Sequence, residues 1–357
     1  MSAVLERGAP SPAIAPARGR GVWAAAWRRL RADRVGMAAL AVVVVFVGLI
    51  VLTATGLVAS GWQQEKGVPS ARPTFMGPAP PSPAGPSDIA APKGPPIDIS
   101  DVDPLAPRYK EWAERAAKIA VTEVKRSETL PFGGDKWGRD VLKKAIKGSE
   151  VSIFVGLASA LLATLIGTVL GAFAGYWGGK VNDFLEWFYN IFTSIPYILL
   201  ILAFAAVATA TGKFGKGIVP IVLILSLTGW TGIYRLIRAE YIKHCNREYV
   251  KAAQAIGASN ASRMFHHILP NVSHVALVQL SQYTVGFIKA EVILSFLGFG
   301  VPVDMVSWGT MLAEAQNELV IGKWWQLVAA GASMAILVTA FSLLTDSLRD
   351  ALDPKLK

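Results

Sequence analysis

Long apolar stretches without charged residues constrain this chain more than any other feature of its sequence. A helix needs about 20 consecutive apolar residues to cross a bilayer, and it must satisfy its own backbone there because water is absent. Five stretches meet this requirement, at residues 35–58, 151–175, 187–212, 218–234 and 324–345, and a weaker sixth lies at 272–300. Because 53% of the residues are hydrophobic, we predict an all-α integral membrane protein with six transmembrane helices.

The positions of the basic residues predict how these spans are oriented. Lys and Arg in short segments beside a span stay on the cytoplasmic side. Arginines cluster in the tail that precedes the first span, and residues 235–270 are also basic. In a chain of six crossings, four of them separate the tail from residues 235–270, so both segments lie on the same side. The net charge of +10 is therefore interpreted as a topological signal rather than as a nucleic-acid-binding surface.

The spans and charges together predict the organisation of the whole chain. The predicted parts are a cytoplasmic N-terminal tail (1–34), a first transmembrane helix (35–58), an external loop (59–150), a transmembrane domain (151–347) that contains a cytoplasmic loop (235–270), and a cytoplasmic C-terminal tail (348–357). The N- and C-termini are thus predicted to lie on the same side of a cell membrane.

The external loop is predicted to have two parts. Residues 67–107 hold more than half of the chain's 21 prolines and few large apolar residues, which predicts an extended, polyproline-like linker. Residues 108–126 combine the i,i+4 pair Glu111 and Arg115 with an apolar face around Trp112, which predicts an amphipathic helix. This helix either lies on the membrane or on a partner, or is a solvated spacer.

Sequence patterns of catalytic and metal sites are missing from the chain. No lysine stands in a P-loop context, no H-E-x-x-H or G-x-S-x-G pattern occurs, and Cys245 is the only cysteine. The adjacent residues His266 and His267 would point about 100° apart on a helix, which suits chelation poorly. We therefore predict a subunit that is not an enzyme and binds no metal or cofactor of its own.

A basic, alanine-rich segment between two spans, Glu248 to Pro270, cannot face lipid and must reach into water. Its pattern predicts a helix, a left-handed glycine at Gly257, a second short helix capped by Ser259 or Asn260, and a stop at Pro270. Tyr249, Ala252, Ala253 and Ile256 recur at helical spacing and are expected to form a face that another protein can approach closely. A helix-turn-helix would need a third helix for its core, and the nearby spans leave no room for one. The segment is interpreted as a docking element.

Lys251-Ala252-Ala253, Gly257 and Ile268-Leu269-Pro270 resemble the EAA loop of ABC importer permeases, the cytoplasmic coupling helix that fits a groove on the ATPase subunit. Further blocks resemble the C-type permease subunit of the dipeptide and oligopeptide (peptide/nickel) family, an inner-membrane component of binding-protein-dependent transport. These blocks are FGGDKWGRDVL (132–142), GAFAGYWGG (171–179), LSFLGFGV (294–301), SWGTMLAEA (307–315) and DSLRDALDPKLK at the C-terminus. Where the EAA pattern has glutamate, this chain has Lys251, and Glu248 stands one turn earlier.

The resemblance implies a type I ABC transporter permease of MetI-like fold that moves peptides inward. It implies as partners a second homologous permease, two ATP-binding cassette subunits that bind ATP and Mg²⁺, and an external solute-binding protein. Its coupling residues would be Glu248, Tyr249, Lys251, Ala252, Ala253, Gly257, Ile268, Leu269 and Pro270. A nickel or other small-solute importer of the same family is the alternative, and an ATP-independent secondary transporter or a membrane scaffold would belong to other classes.

One ionisable residue lies about the middle of a predicted span. A carboxylate such as Glu291 is costly in lipid and should face a cavity or a partner. Lys289 is two positions away and therefore on a different face of the helix. The sequence leaves two roles open for Glu291: a place in the solute pathway, or a structural hydrogen bond within the helix bundle.

Overall fold

The computed structural model describes residues 22–80, 103–118, 125–212, 217–302 and 304–352, and these are mostly helical. The first 21 residues, much of the predicted linker (81–102), residues 119–124 of the predicted amphipathic helix and the last five residues lie outside the described part. The helices are α1 (Val22–Ala32), α2 (Arg34–Ala54), α3 (Tyr109–Lys118), α4 (Val141–Trp177), α5 (Gly179–Thr193), α6 (Tyr197–Thr211), α7 (Val219–Gly229), α8 (Thr231–Cys245), α9 (Glu248–Ala255), α10 (Asn260–Ser262), α11 (Leu269–Phe296), α12 (Trp308–Val320) and α13 (Trp325–Leu352).

Three described helices, α2, α4 and α13, are each long and apolar enough to cross a membrane. Two further stretches qualify only as bent pairs: α5 and α6 meet at 84°, and α7 and α8 at 42°. The 28-residue helix α11 is long enough to cross, but it is less apolar than α2 and has no stretch as hydropathic as those of α2, α4 and α13. The all-helical membrane class is therefore confirmed, whereas six spans remain a prediction.

The predicted spans at 187–212 and 218–234 are not single straight helices. The first is interrupted at Ser194, Ile195 and Pro196, because Pro196 lacks a backbone N–H and holds an extended conformation just before α6. The second bends at Trp230, which joins α7 to α8. Helix α8 then continues to Cys245, eleven residues beyond the predicted end of the span.

Part of the predicted linker is a β-strand, which corrects the expectation of an extended polyproline-like segment from residue 67. Strand β1 (Gly67–Pro73) pairs in parallel with β2 (Ser127–Leu130), so the two ends of the external loop are joined. In a two-stranded sheet each strand has an unpaired edge, and β1 can therefore hold two prolines. The small sheet also makes the external loop an exception to the predicted all-helical fold.

Helix α4 is the centre of the bundle. Its 37 residues include many small buried ones, and it packs against α7, α8 and α11. One apolar cluster joins α4, α6, α7 and α11 around Val155, Ile201 and Leu225, and a second joins α4, α11, α12 and α13 around Trp308 and Trp325. Many side chains on the outer faces of α2, α5 and α6 remain exposed, as expected for helices that meet lipid or another membrane subunit.

Candidate functional site

The predicted docking element consists of α9, a turn at Gly257, α10, and a π-helix (Arg263–Ile268) that leads directly into α11. Gly257 has φ +86°, which is the predicted left-handed geometry. The Ser259 hydroxyl accepts a hydrogen bond from the Ser262 backbone N–H at 3.2 Å, so Ser259 is the predicted cap. We call residues 248–268 the coupling segment.

The prediction that Pro270 ends the second helix is wrong. Pro270 is the second residue of α11, so its missing backbone N–H falls at the junction where the wider turn of the π-helix gives way to the α-helix. The chain is therefore helical without interruption from Asn260 to Phe296. The coupling segment is continuous with a helix that runs through the bundle.

The structure separates the predicted coupling residues into two groups. Glu248, Lys251, Ala252 and Pro270 are exposed, as is part of Tyr249, and Ile256 beside Gly257 keeps 85% of its surface accessible. Ala253 and Ile268 are buried, and Leu269 is half-buried against the apolar cluster of α8, the π-helix and α11 that contains Ile268. The expected common face of Ala252 and Ala253 is thus wrong, because α9 turns Val250 and Ala253 toward the bundle.

We define the coupling tip as the exposed set formed by Glu248, Lys251, Ala252, Ile256 and Gly257. A large apolar side chain exposed at a glycine turn, beside one acidic and one basic residue, is suited to insertion into an apolar groove with a polar rim. These exposed residues can bind another protein without unfolding any part of the segment.

Polar contacts hold the coupling segment against the bundle. The Tyr241 hydroxyl on α8 donates to the Met264 carbonyl at 3.1 Å, which satisfies a backbone group of the π-helix. The Tyr176 hydroxyl at the end of α4 donates to Asn260 Oδ1 at 3.0 Å, and the Arg263 guanidinium lies over the Tyr176 ring at 5.8 Å. Motion of the coupling segment must therefore pull on both α4 and α8.

Sequence reasoning missed the close contact between α4 and α8. A Cβ atom at Gly167, Gly171 or Gly175 would lie 2.6 to 2.7 Å from the carbonyl oxygens of Trp230, Tyr234 and Arg238, respectively. Small residues at four-residue spacing allow two membrane helices to approach closely. The four-residue spacing of Gly167, Gly171 and Gly175 in the sequence could have predicted this contact.

Glu291 on α11 is fully buried and accepts hydrogen bonds from two serine hydroxyls. Ser152 Oγ on α4 donates to Oε2 at 2.7 Å, and Ser295 Oγ, one turn along α11, donates to Oε1 at 2.6 Å. Ser152 Oγ in turn accepts from the backbone N–H of Trp308 at 3.2 Å. The carboxylate thus joins α4, α11 and α12, which favours the structural role that the sequence left open.

A second polar cluster, which the sequence did not indicate, lies near the beginning of α4 on the side of the external loop. Lys144 is buried and forms an ion pair with Asp135 at 2.8 Å and another with Glu314 on α12. Glu318 Oε1 accepts from the Lys136 backbone N–H at 2.8 Å, and burial raises the pKa of Glu318 to about 7. Charged residues just before α4 and on α12 therefore fix the beginning of α4.

Among the described residues, no group of three or more His, Cys, Asp and Glu side chains could hold a metal ion. The features that remain are apolar helices, a rigid coupling segment with an exposed tip, and buried polar clusters that join the helices. The fold defines a helical membrane protein that carries an exposed segment between two of its helices.

Comparison with known proteins identifies the subunit more closely. Residues 167–357, more than half of the chain, match the sequence model of the family described as "Binding-protein-dependent transport system inner membrane component". The chain therefore belongs to this family of membrane transport components, whose members are permease subunits and not the ATPases of their systems.

Curated relatives cover much of the chain. It is 34% identical to the dipeptide transport system permease protein DppC of Bacillus subtilis over 226 residues, covering 63% of this chain and 69% of the relative. It is 32% identical to the oligopeptide transport system permease protein OppC of B. subtilis over 253 residues, covering 71% and 81%. It is 34% identical to OppC of Escherichia coli K12 over 224 residues, covering 63% and 72%.

A solved structure of the MetNI methionine ABC transporter in inward-facing conformations matches with a TM-score of 0.48 and 16% identity. The match covers 59% of this chain and 96% of that chain.

Proposed function

We propose that this chain is the C-type permease subunit of an ATP-driven importer of dipeptides and oligopeptides. The relatives described above are permeases of dipeptide and oligopeptide transport systems, which supports this substrate class. The observation that carries the proposal is the coupling segment, because its exposed tip is tied by Tyr176 and Tyr241 to two helices of the bundle. A tip of this kind can transmit rigid-body motion from a partner to the membrane helices.

The proposed complex contains this chain, a second homologous permease, two ATP-binding cassette subunits and an external solute-binding protein. The ATPase subunits bind ATP and Mg²⁺, and the coupling tip docks on one of them. Residues 59–150 face the outside and receive the loaded binding protein, and both termini lie in the cytoplasm. Glu248, Tyr249, Lys251, Ala252, Gly257 and Pro270 are proposed to contact or orient the ATPase, whereas Ala253, Ile268 and Leu269 support the segment from within.

The test is to purify the tagged chain from its native membrane, identify the subunits that accompany it, and measure ATP-driven uptake of a labelled dipeptide by the complex in liposomes. Gly257→Pro should insert and assemble but abolish uptake. Proline requires φ near −65°, whereas Gly257 has φ +86°, and its N–H donates to the Gln254 carbonyl at 3.0 Å. The tip would therefore lose its shape while the spans stay unchanged.

Gly77→Pro is the matched control, because Gly77 also has positive φ, at +70°, and lies far away in the external loop. Normal uptake by Gly257→Pro would disprove the coupling role. Recovery of this chain alone, active without ATP, would instead identify a secondary transporter. Uptake of nickel and not of dipeptide would show that the family is right and the substrate class is wrong.

A further inference from the structure

A polar cavity of about 460 Å³ lies between α5 and α8, and no part of the proposed function accounts for it. Its lining consists of Glu186, Tyr189, Arg235, Leu236, Arg238 and Ala239. Both helices belong to bent pairs that are counted as candidate membrane spans. Ionisable side chains are too costly to face hydrocarbon, so the cavity must open to water or to another subunit.

The two arginines of the cavity differ in how they are neutralised. Arg238 Nε lies 3.1 Å from Glu186 Oε1 and donates to Asn182 Oδ1 at 2.6 Å. The same Glu186 oxygen accepts from the Tyr234 hydroxyl at 3.1 Å. Glu186 is therefore committed to Arg238 and Tyr234.

Arg235 has no carboxylate within ion-pair distance among the described residues. Arg235 NH1 donates a long hydrogen bond of 3.4 Å to the Tyr189 hydroxyl, and the Arg235 side chain is exposed and lines the cavity. A guanidinium has five N–H donors in a planar fork that matches a carboxylate. The lining of the cavity thus carries two arginines and one carboxylate, an excess of one positive charge.

The walls of the cavity are fixed by aromatic contacts. The rings of Tyr189 and Tyr234 stack at 5.4 Å, and those of Phe188 and Trp230 stack at 5.6 Å. The fork of Arg235 is therefore presented from a rigid surface, which lowers the entropy cost of binding a ligand there.

The cavity also lies beside two breaks in the membrane helices. Helix α6 leaves α5 at 84° only a few residues after Tyr189, and α8 begins at the bend beside Trp230. Interrupted membrane helices form the solute sites of many transporters. Arg235 is ten residues before the end of α8, or about 15 Å along the helix axis. It directly follows the predicted span 218–234 and therefore lies at the end of that span which leads to the coupling segment.

We propose that Arg235, together with the Tyr189 hydroxyl, binds the terminal carboxylate of a peptide as it passes toward the cytoplasm. The inference rests on the proposed function, because it names a part of the transported solute. Every unmodified peptide has this carboxylate whatever its sequence, so one arginine can guide peptides of many compositions. The ion pair between Arg238 and Glu186 holds the neighbouring wall and keeps Arg238 from competing for the ligand.

The experiment compares two forms of one dipeptide, with a free C-terminal carboxylate and with a C-terminal amide. Uptake is measured for the full complex in liposomes, with the binding protein saturated by each form. Because the same binding protein is used throughout, its own preference cancels when the acid-to-amide ratio of a variant is divided by that of the wild type. We expect Arg235→Gln to lower this ratio about tenfold, as for the loss of a hydrogen bond to a charged group.

Two further variants complete the comparison. Arg235→Lys keeps the charge but loses the fork, and its ratio should lie between those of the wild type and Arg235→Gln. Lys180→Gln removes one exposed positive charge from α5 outside the cavity, and it should leave the ratio unchanged.

An equal decrease in acid and amide uptake for Arg235→Gln would overturn the proposal, since it would mean that Arg235 pairs with another subunit or with a lipid headgroup. An unchanged ratio with normal uptake would overturn it as well. If the wild-type complex moves neither form, the proposed function fails, and this subsite fails with it. Uptake of both forms by the wild type with no effect at Arg235 rejects the subsite alone.

Discussion

At the scale of single residues, the buried polar groups connect helices that lie far apart in the chain. Glu291 accepts from Ser152 at 2.7 Å and from Ser295 at 2.6 Å, and Ser152 also accepts from the Trp308 backbone at 3.2 Å. Each serine hydroxyl has a single proton to give, and here both protons are given to the same carboxylate. The arrangement needs an acceptor with two free oxygens at position 291.

Glu291→Gln should therefore destabilise the subunit without slowing transport. The amide keeps only one acceptor oxygen, so one serine proton loses its partner at a cost of about 1–3 kcal/mol. The thermal midpoint of the purified complex should decrease, while uptake per assembled complex stays the same. Ser333→Ala is the control, because its described bond is local, from Oγ to the Ala329 carbonyl on the same helix. Lost turnover with unchanged stability would contradict this and place Glu291 in the solute pathway.

At the scale of elements, the contact between α4 and α8 connects the coupling segment to the core. Gly167, Gly171 and Gly175 present one face of α4 to the backbone of α8, with no room for a side chain. At the C-terminal ends of these two helices, Tyr241 on α8 binds the π-helix and Tyr176 on α4 binds Asn260. The two helices therefore form a rigid unit that ends at the coupling tip.

Gly171→Ala should separate α4 from α8, because the new Cβ would lie 2.7 Å from the Tyr234 carbonyl oxygen. Overpacking of this kind costs about 1–3 kcal/mol, and we expect a lower thermal midpoint together with weaker coupling of ATP hydrolysis to uptake. Gly331→Ala makes the same change on α13, where no atom lies within 4 Å of the new Cβ. It should be neutral or slightly stabilising, since alanine favours a helix. Equal effects of the two substitutions would show that the helix contact is unimportant.

Composition and spacing predict some of these elements and not others. Apolar length alone locates α2 and α13, since a span depends on the sum of many side chains. The breaks at Pro196 and Trp230 are not predicted, because an apolar stretch has the same composition whether the helix axis is straight or bent. Pro270 was misinterpreted because a proline in the first turn of a following helix has the same sequence signature as a stop.

The same limit applies to the candidate site. Gly257 and Ser259 were predicted correctly, since a local backbone geometry selects these residue types. The inward direction of Ala253 depends on how α9 packs, and the pairing of Lys144 with Glu314 joins residues 170 positions apart. Contacts of this kind follow from the fold and leave no local pattern in the sequence.

At the scale of the whole molecule, the two ends of the described chain meet. The Ser347 hydroxyl donates to Asp33 Oδ2 at 2.5 Å, and Arg29 NH1 donates to the Ala351 carbonyl at 3.3 Å. Asp33 caps α2, and Ser347 lies near the end of α13. Two sites in direct contact at a membrane surface require an even number of crossings between them.

Both termini should therefore lie in the same compartment. Green fluorescent protein fused to either end in bacteria should fluoresce, because the basic tail favours the cytoplasm and the fluorescent protein folds poorly when exported. A truncation at Gly77 fused to alkaline phosphatase is the control, and it should be active because this position follows a single predicted crossing. A dark fusion at one terminus only would mean that the number of crossings is odd.

The π-helix Arg263–Ile268 can be described as one surplus residue wound into a helical rod that continues to Phe296. Each residue of an α-helix turns the chain by about 100°. Removing one residue here would relax the wide turn and rotate the coupling tip by about that angle around the axis of α11, with every residue of the tip still present. The azimuth at which this subunit presents its tip is therefore set by a count of residues and not by their identity.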